Sequence, residues 1–366
     1  MSTSASPRFS APAPAPVRDL ADRLWHAVVA GDEHTATDVV LGALDDGLDP
    51  ESVLLDVIAR VQGRVGEEWA ANRISVAQEH AATAINERAV TALALRSAGA
   101  RRTPCRGRIT VACVDGEWHA LPARLLAEVL KLRGWQVDYL GAQVPAPHLI
   151  SHLHTTKSDA VALSSSIATR LPTAHAAITA CQAIGVPVLV GGAAFGSDGR
   201  YAQLLGAQAW APDARAAADR LAEAPLPRPR PDHQQVEDLP HLVDQEYTLV
   251  ARSSASLVRT VFLALQDAFP AVRAYDDLQR ERTAEDLAQI VEFLAAALYL
   301  GDDALFVGFI TWTDRILRAR NVHAQALPPA LDLLARELKD FPRASRILKR
   351  GIEALTTDQH TAGTPA

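Results

Sequence analysis

"RITVACVDGEWHALPARLLAEVLKLRGWQVDYLG", residues 108–141, decides the fold. It opens on a β-rich apolar run, "RITVACV". "ARLLAEVLKLRG" (123–134) then repeats apolar residues at helical spacing, and "WQVDYLG" (135–141) is β-rich again. Strand, helix and strand in so short a span is a βαβ unit, whose two strands run parallel. Three further short runs follow, in "DAVALSSS" (159–166), "VPVLVGG" (186–192) and "AQAWAP" (207–212), with amphipathic stretches such as "TAHAAITACQAIG" (173–185) between them. Strands alternating with helices predict a parallel sheet covered on both faces.

On either side of this block the periodicity is helical only. "VRDLADRLWHAVVAG", "DEHTATDVVLGALDDG", "DPESVLLDVIARVQGRVGEEWAAN" and "SVAQEHAATAINERAVTALALRSA" fill residues 17–100 and predict a four-helix bundle. "APLPRPRPDHQQVEDLP" (224–240) has the spaced prolines of an extended linker. Residues 241–356 return to helical spacing. The expected class is α/β plus all-α. It comprises a tail (1–16), a four-helix cap (17–100), a flavodoxin-like doubly wound five-stranded parallel sheet (103–223), the linker (224–240), a helical domain (241–356) and a second tail (357–366).

The 366 residues are 48% apolar and carry a net charge of −7, which argues against a general nucleic-acid binder. No apolar run approaches the roughly 18 residues that span a bilayer. The three cysteines, Cys105, Cys113 and Cys181, fit a reducing cytoplasm better than a disulfide framework. The expectation is a cytoplasmic protein with neither nucleic-acid nor membrane partners.

Two constellations carry chemistry. In an open α/β sheet, ligands bind beyond the carboxyl ends of the strands. His119 lies in the loop after the first strand, where Asp115 or Glu117 could orient one ring nitrogen and leave the other for a metal. Ser164 and Ser166 end the third strand, and Gly191 and Gly192 end the fourth. Small residues and hydroxyls there leave a slot into the domain. The second constellation is "WAANRISVAQEH" (69–80). Ser75 and Gln78 form a capping-box pattern, so a helix starts at Ser75 with Glu79 and His80 after its first turn. Taken singly, Trp69 reads as core and Glu79 and His80 as solvated. Taken together they read as a lid over a ligand.

Together these residues resemble the cobalamin-binding module of methionine synthases, mutases and light-sensing regulators. Its motifs are Asp-x-His-x-x-Gly, Ser-x-Leu and Gly-Gly. Here they read "EWHALP" with Pro122 in place of glycine, "SSS", and Gly191-Gly192. The resemblance implies that His119 is the lower axial ligand of cobalt and that the nucleotide tail lies along Ser164, Ser166, Gly191 and Gly192. Trp-x9-Glu-His resembles the signature of light-sensing adenosylcobalamin domains. That implies Trp69 and Glu79 around the adenosyl group, and His80 able to coordinate cobalt once light has removed it. The transcriptional relatives carry a DNA-binding segment before the cap. Only the disordered-looking residues 1–16 precede it here, so no DNA-binding role is expected.

In the last block, Asp286, Gln289 and Phe293 share one helical face. Phe306, Phe309 and Trp312 share another, followed by Arg315. The domain order resembles the photocobilins, which implies biliverdin as a second chromophore. No cysteine lies beyond Cys181, so a bilin here would be held without a thioether. Arg273 and Arg315 are candidates for its propionates, Asp286 for its pyrrole nitrogens, and Gln289 and Trp312 for further contacts. The expectation is a photoreceptor, not an enzyme, whose output is a light-dependent change in homo-oligomeric assembly or contact with a separate partner. The alternative is a corrinoid methyl-carrier protein of a methyltransferase system.

Overall fold

The computed structural model describes residues 15–97, 106–229, 239–320 and 324–361. Most of the expected N-terminal tail, the middle of the linker and residues 362–366 lie outside the described residues. The chain divides into two compact units, Met1–Val236 and Glu237–Ala366.

The first unit opens with four helices: α1 (Ala15–Ala30), α2 (Glu33–Asp45), α3 (residues 50–70) and α4 (Val76–Arg96). The last three starts have a sequence reason. Asp32 and Asp49 accept the Thr35 and Ser52 backbone N–H groups at 3.0 Å, and Pro50 follows Asp49 in the first turn. Ser75 and Gln78 make the expected capping box. α3 departs from simple periodicity: Val53–Ile58 is a π-helical turn that buries five of its six residues and leaves out only Asp56. Asp56 and Glu51 instead reach the sheet domain. Asp56 meets Arg215 at 2.9 Å, Glu51 meets Arg133 at 2.7 Å, and Arg133 also pairs with Asp219.

The sheet has the order β2-β1-β3-β4-β5, with every neighbouring pair parallel. The strands are β1 (Arg108–Cys113), β2 (Gln136–Gly141), β3 (Ala160–Ser164), β4 (Val188–Gly191) and β5 (Ala209–Ala211). The connecting helices are α5 (Ala120–Leu132), α6 (Ala146–Thr156), α7 (Leu171–Ala183) and the short α8 (Arg200–Leu204), and α9 (Ala214–Glu223) closes the domain. β1, β3 and β4 are buried almost throughout, as continuous apolar runs require in a sheet covered on both faces. Pro122 falls in the first turn of α5, where its missing N–H costs no helical hydrogen bond.

The second unit holds α10 (Glu246–Ala268), α11 (Asp277–Leu300), α12 (Asp303–Ala319), α13 (Leu327–Glu337) and α14 (Pro342–Thr361). Contrary to expectation, α10 is long and apolar enough to cross a bilayer by length and composition. It nevertheless packs on α11 and α13, burying Val250, Leu257, Val261 and Leu265, while Arg252 and Arg259 are exposed. α14 also runs past the expected boundary at 356. The Thr356 and Thr357 hydroxyls donate to the Glu353 carbonyl one turn back, which suits them to a helix end. The buried Glu246 carboxylate accepts the Arg343 and Ala344 backbone N–H groups at 3.0 and 2.9 Å, capping α14 from a distant helix. Glu246→Ala is expected to lower the stability of this unit by about 2 kcal/mol, read by denaturant unfolding of the full chain.

Candidate functional site

β1, β3 and β4 end in register, Cys113 opposite Ser164 and Ser164 opposite Gly191. Their loops therefore leave the sheet side by side, at the switch point between the adjacent strands β1 and β3. Glu117, in the loop after β1, is fully buried there. One carboxylate oxygen accepts the His119 backbone N–H at 2.9 Å and meets His119 Nδ1 at 2.5 Å. The other accepts the Ser165 hydroxyl at 3.1 Å and the backbone N–H groups of Ser166 and Ile167 at 2.6 and 3.2 Å. Burial would raise the Glu117 carboxyl, but the hydrogen bonds from His119 and Ser166 outweigh it and hold the group at about 2.

Glu117 faces Nδ1 as an acceptor, so Nδ1 is the nitrogen that donates to it and Nε2 is the one left for a ligand. The imidazole is 31% exposed and therefore reaches the surface. A carboxylate that fixes the tautomer and angle of a histidine is the usual support of a metal ligand. Of the two candidates, Glu117 takes this part. Asp115 is exposed. No group of three or more His, Cys, Asp or Glu side chains forms a metal cage among the described residues. One oriented imidazole suits a metal already held by a macrocycle.

The slot residues divide differently from the expectation. Ser164 is the buried last residue of β3. Ser166 contributes its backbone N–H, and the hydroxyl that reaches Glu117 is that of Ser165. Strand alternation pairs Ser164 with Ser166, but the chain leaves β3 at Ser164, so the parity ends there. Only the run of three serines hinted at Ser165. Gly192 has φ +99°, and a Cβ on it would lie 2.2 Å from the Ser165 carbonyl oxygen. Gly191 allows a similar approach to the Ala211 carbonyl, at 3.2 Å. Gly192 brings the loops after β3 and β4 together, and Gly191 lets the end of β4 lie close to β5.

In the cap, Trp69 is buried near the end of α3. Asn72, at φ +57°, turns the chain toward α4 and donates to the Trp69 carbonyl at 3.0 Å. Glu79 is mostly covered, whereas His80 is 76% exposed, and the two pair at 2.6 Å.

Residues 107–221 match a family described as "B12 binding domain", and residues 20–94 match a second family of the same description. The chain carries B12-binding domains. Within this B12-binding module, Glu117, His119 and the slot lie in the second match, and Trp69, Glu79 and His80 in the first. Over 185 residues the chain is 32% identical to the HTH-type transcriptional repressor CarA of Myxococcus xanthus. That match covers 47% of this chain and 58% of the relative, so it spans under two thirds of that protein. The monomethylamine corrinoid protein of Methanosarcina barkeri shares the fold at TM-score 0.50 and 20% identity, covering 56% of this chain and 98% of that one.

The second unit matches neither family. Phe293 stacks on Phe309 with ring centroids 3.8 Å apart and planes 4° apart, and Trp312 lies 6.4 Å from Phe309. Phe293, Phe306 and Phe309 are buried, as core aromatics are. Gln289 and Asp286 are partly buried one and two turns before Phe293 on α11. Burial, helped by Glu285, pushes the Asp286 carboxyl up to about 6 against the pull of Arg320. Arg315 is exposed. Arg273 is exposed and pairs with Asp267 at the end of α10.

Proposed function

We propose that this chain is a cytoplasmic light sensor, not an enzyme. In this reading adenosylcobalamin is held between the cap and the sheet domain, and biliverdin is held non-covalently in the C-terminal unit. The carrying observation is the buried Glu117 that orients His119. Five hydrogen-bonding contacts converge on that carboxylate, and they present one imidazole nitrogen at the carboxyl edge of a B12-binding sheet. Adenosylcobalamin, when bound, supplies a cobalt–carbon bond that light can break.

The chain's own residues have distinct tasks. His119 would hold the cobalt, and Ser164, Ser166, Gly191 and Gly192 would line the tail slot. Trp69 and Glu79 enclose the adenosyl side. His80, exposed and paired with Glu79, would be a second cobalt ligand in the illuminated state. The 32% identity over 185 residues to a transcriptional repressor supports sensing over methyl transfer. The half-buried Asp286, held partly protonatable beside the Phe293–Phe309 stack, supports a bilin with Asp286 near its pyrrole nitrogens. Gln289, Trp312 and Arg315 flank it. The output is a change in homo-oligomeric assembly or in contact with a separate protein.

The test is an absorption spectrum of the chain loaded with both chromophores, dark and after green and red light. A converted cobalamin spectrum together with a red-shifted bound bilin band is expected. Conversion no different from that of free cofactor, with methyl transfer in darkness, would give the chain to the corrinoid carriers. His119→Ala is expected to remove histidine coordination from the dark spectrum and lower cobalamin affinity by about a hundredfold. His80→Ala is expected to leave the dark spectrum unchanged and alter only the illuminated one.

A further inference from the structure

Arg170 is a charge without a partner at the edge of the site. It ends the short turn Ala168–Arg170 that leads from the β3 loop into α7. Its side chain makes no hydrogen bond or ion pair among the described residues, and its Nε is shielded from solvent. The guanidinium lies over Gly116, where a Cβ would stand 3.4 Å from Nε and 3.5 Å from Cζ. A side chain at 116 would crowd it. Both Glu117 oxygens accept from other donors, and no ion pair joins Glu117 to Arg170 among the described residues. The same turn packs against Ala193–Phe195, which follows Gly192. Arg170 therefore stands between the loop that carries His119 and the mouth of the slot that Gly191 and Gly192 help form. The Arg170 Nε–H is shielded without an acceptor while the rest of the half-buried side chain remains open, so the guanidinium is free to take an anion at this edge.

We propose that Arg170 binds the phosphodiester of the cobalamin nucleotide tail at the mouth of this slot. The inference rests on the cobalamin reading of the site. The amide arms around a corrin ring are neutral, and the tail phosphodiester is the peripheral group that bears a negative charge. The planar guanidinium fork matches a phosphate through two parallel N–H bonds. Arg170 is a positioning residue here: it selects a complete cobalamin and draws the tail toward the slot, while His119 holds the metal.

Cobinamide, which keeps the ring and cobalt but lacks the phosphodiester and the base, separates the two tasks. Aquocobalamin and diaquocobinamide would be titrated by absorbance into the full-length native chain, Arg170→Gln and Arg170→Lys. Arg170→Gln is expected to weaken cobalamin by about ten- to a hundredfold and cobinamide by less than about twofold. The cobalamin bound at saturation keeps its histidine-coordinated spectrum. Arg170→Lys is expected to fall between, keeping the charge and losing the fork. The ratio of the two affinities within one variant is independent of the folded fraction, so partial misfolding does not mask the result. Equal losses for both ligands would move Arg170 to the ring and overturn the proposal, as would no loss for either. A native chain that binds cobinamide but gains nothing from the tail would overturn it and leave His119 standing. A native chain that binds neither would overturn both readings.

Discussion

Glu117→Gln is expected to destabilise the sheet domain by about 3 kcal/mol and to weaken cobalamin binding by about ten- to a hundredfold. Every group facing this carboxylate is a donor: the His119 ring and backbone N–H, the Ser165 hydroxyl, and the backbone N–H groups of Ser166 and Ile167. Glutamine keeps one acceptor oxygen and turns an NH2 toward the rest, so donor meets donor in a site without solvent. The expected size follows from titration. A carboxyl held at about 2 instead of its ordinary 4.5 is stabilised in the folded state by about 3 kcal/mol. The folded value is the depressed one, so this contribution is fully present above about pH 4.5 and is lost as the pH falls toward about 2. Denaturant unfolding at pH 7 and at pH 3 checks it. The difference between native chain and variant is expected to shrink at the lower pH, and an equal difference at both would remove Glu117's ionised state from the account. The affinity loss has a separate cause. Without the carboxylate, His119 loses the group that sets its tautomer and angle, which absorbance titration reads.

Gly192→Ala is expected to cost about 3–5 kcal/mol of stability, enough to abolish the tail slot in whatever fraction still folds. Two penalties act at the same atom. The backbone at φ +99° disfavours any side chain, and the added Cβ would stand 2.2 Å from the Ser165 carbonyl oxygen and 2.9 Å from its carbon. A flexible side chain can move away from such a clash. Here the obstacle is backbone, tied by Ser165 N–H to the Gly191 carbonyl at 3.1 Å and by Ala194 N–H to the Ser165 carbonyl at 3.2 Å. Moving it would carry the Ser165 hydroxyl away from Glu117 and so disturb His119 from two loops away. Thermal unfolding of the variant, with cobalamin titration of its folded fraction, reads both effects. A variant as stable as the native chain would show that the loops after β3 and β4 can separate without loss.

Much of this was legible in the sequence because it depends on local order. Short β-rich apolar runs set among helical runs predicted five parallel strands between two helical blocks, and Ser75 with Gln78 announced the start of α4. Glu117 and His119 are two residues apart in one loop, so their pairing needed only the loop's position after β1. The π turn in α3 was not legible, because its apolar residues read equally well as ordinary helix. Arg273 was assigned to a ligand on charge alone, and its pairing with Asp267 depends on the turn after α10.

The sequence by itself determined the parallel sheet, the four-helix cap, the place of His119 at a strand end and the absence of a thiol beyond Cys181. Only the tertiary structure decided that Ser165 supplies the hydroxyl to Glu117, that Gly192 lets two loops meet, and that Arg170 stands over Gly116 without a partner among the described residues. The physical reason is range. Periodicity and capping act over a few residues and are written in consecutive letters. The contact between residues 117 and 165 exists because β1 and β3 lie in register, and that register is set by the packing of the whole sheet.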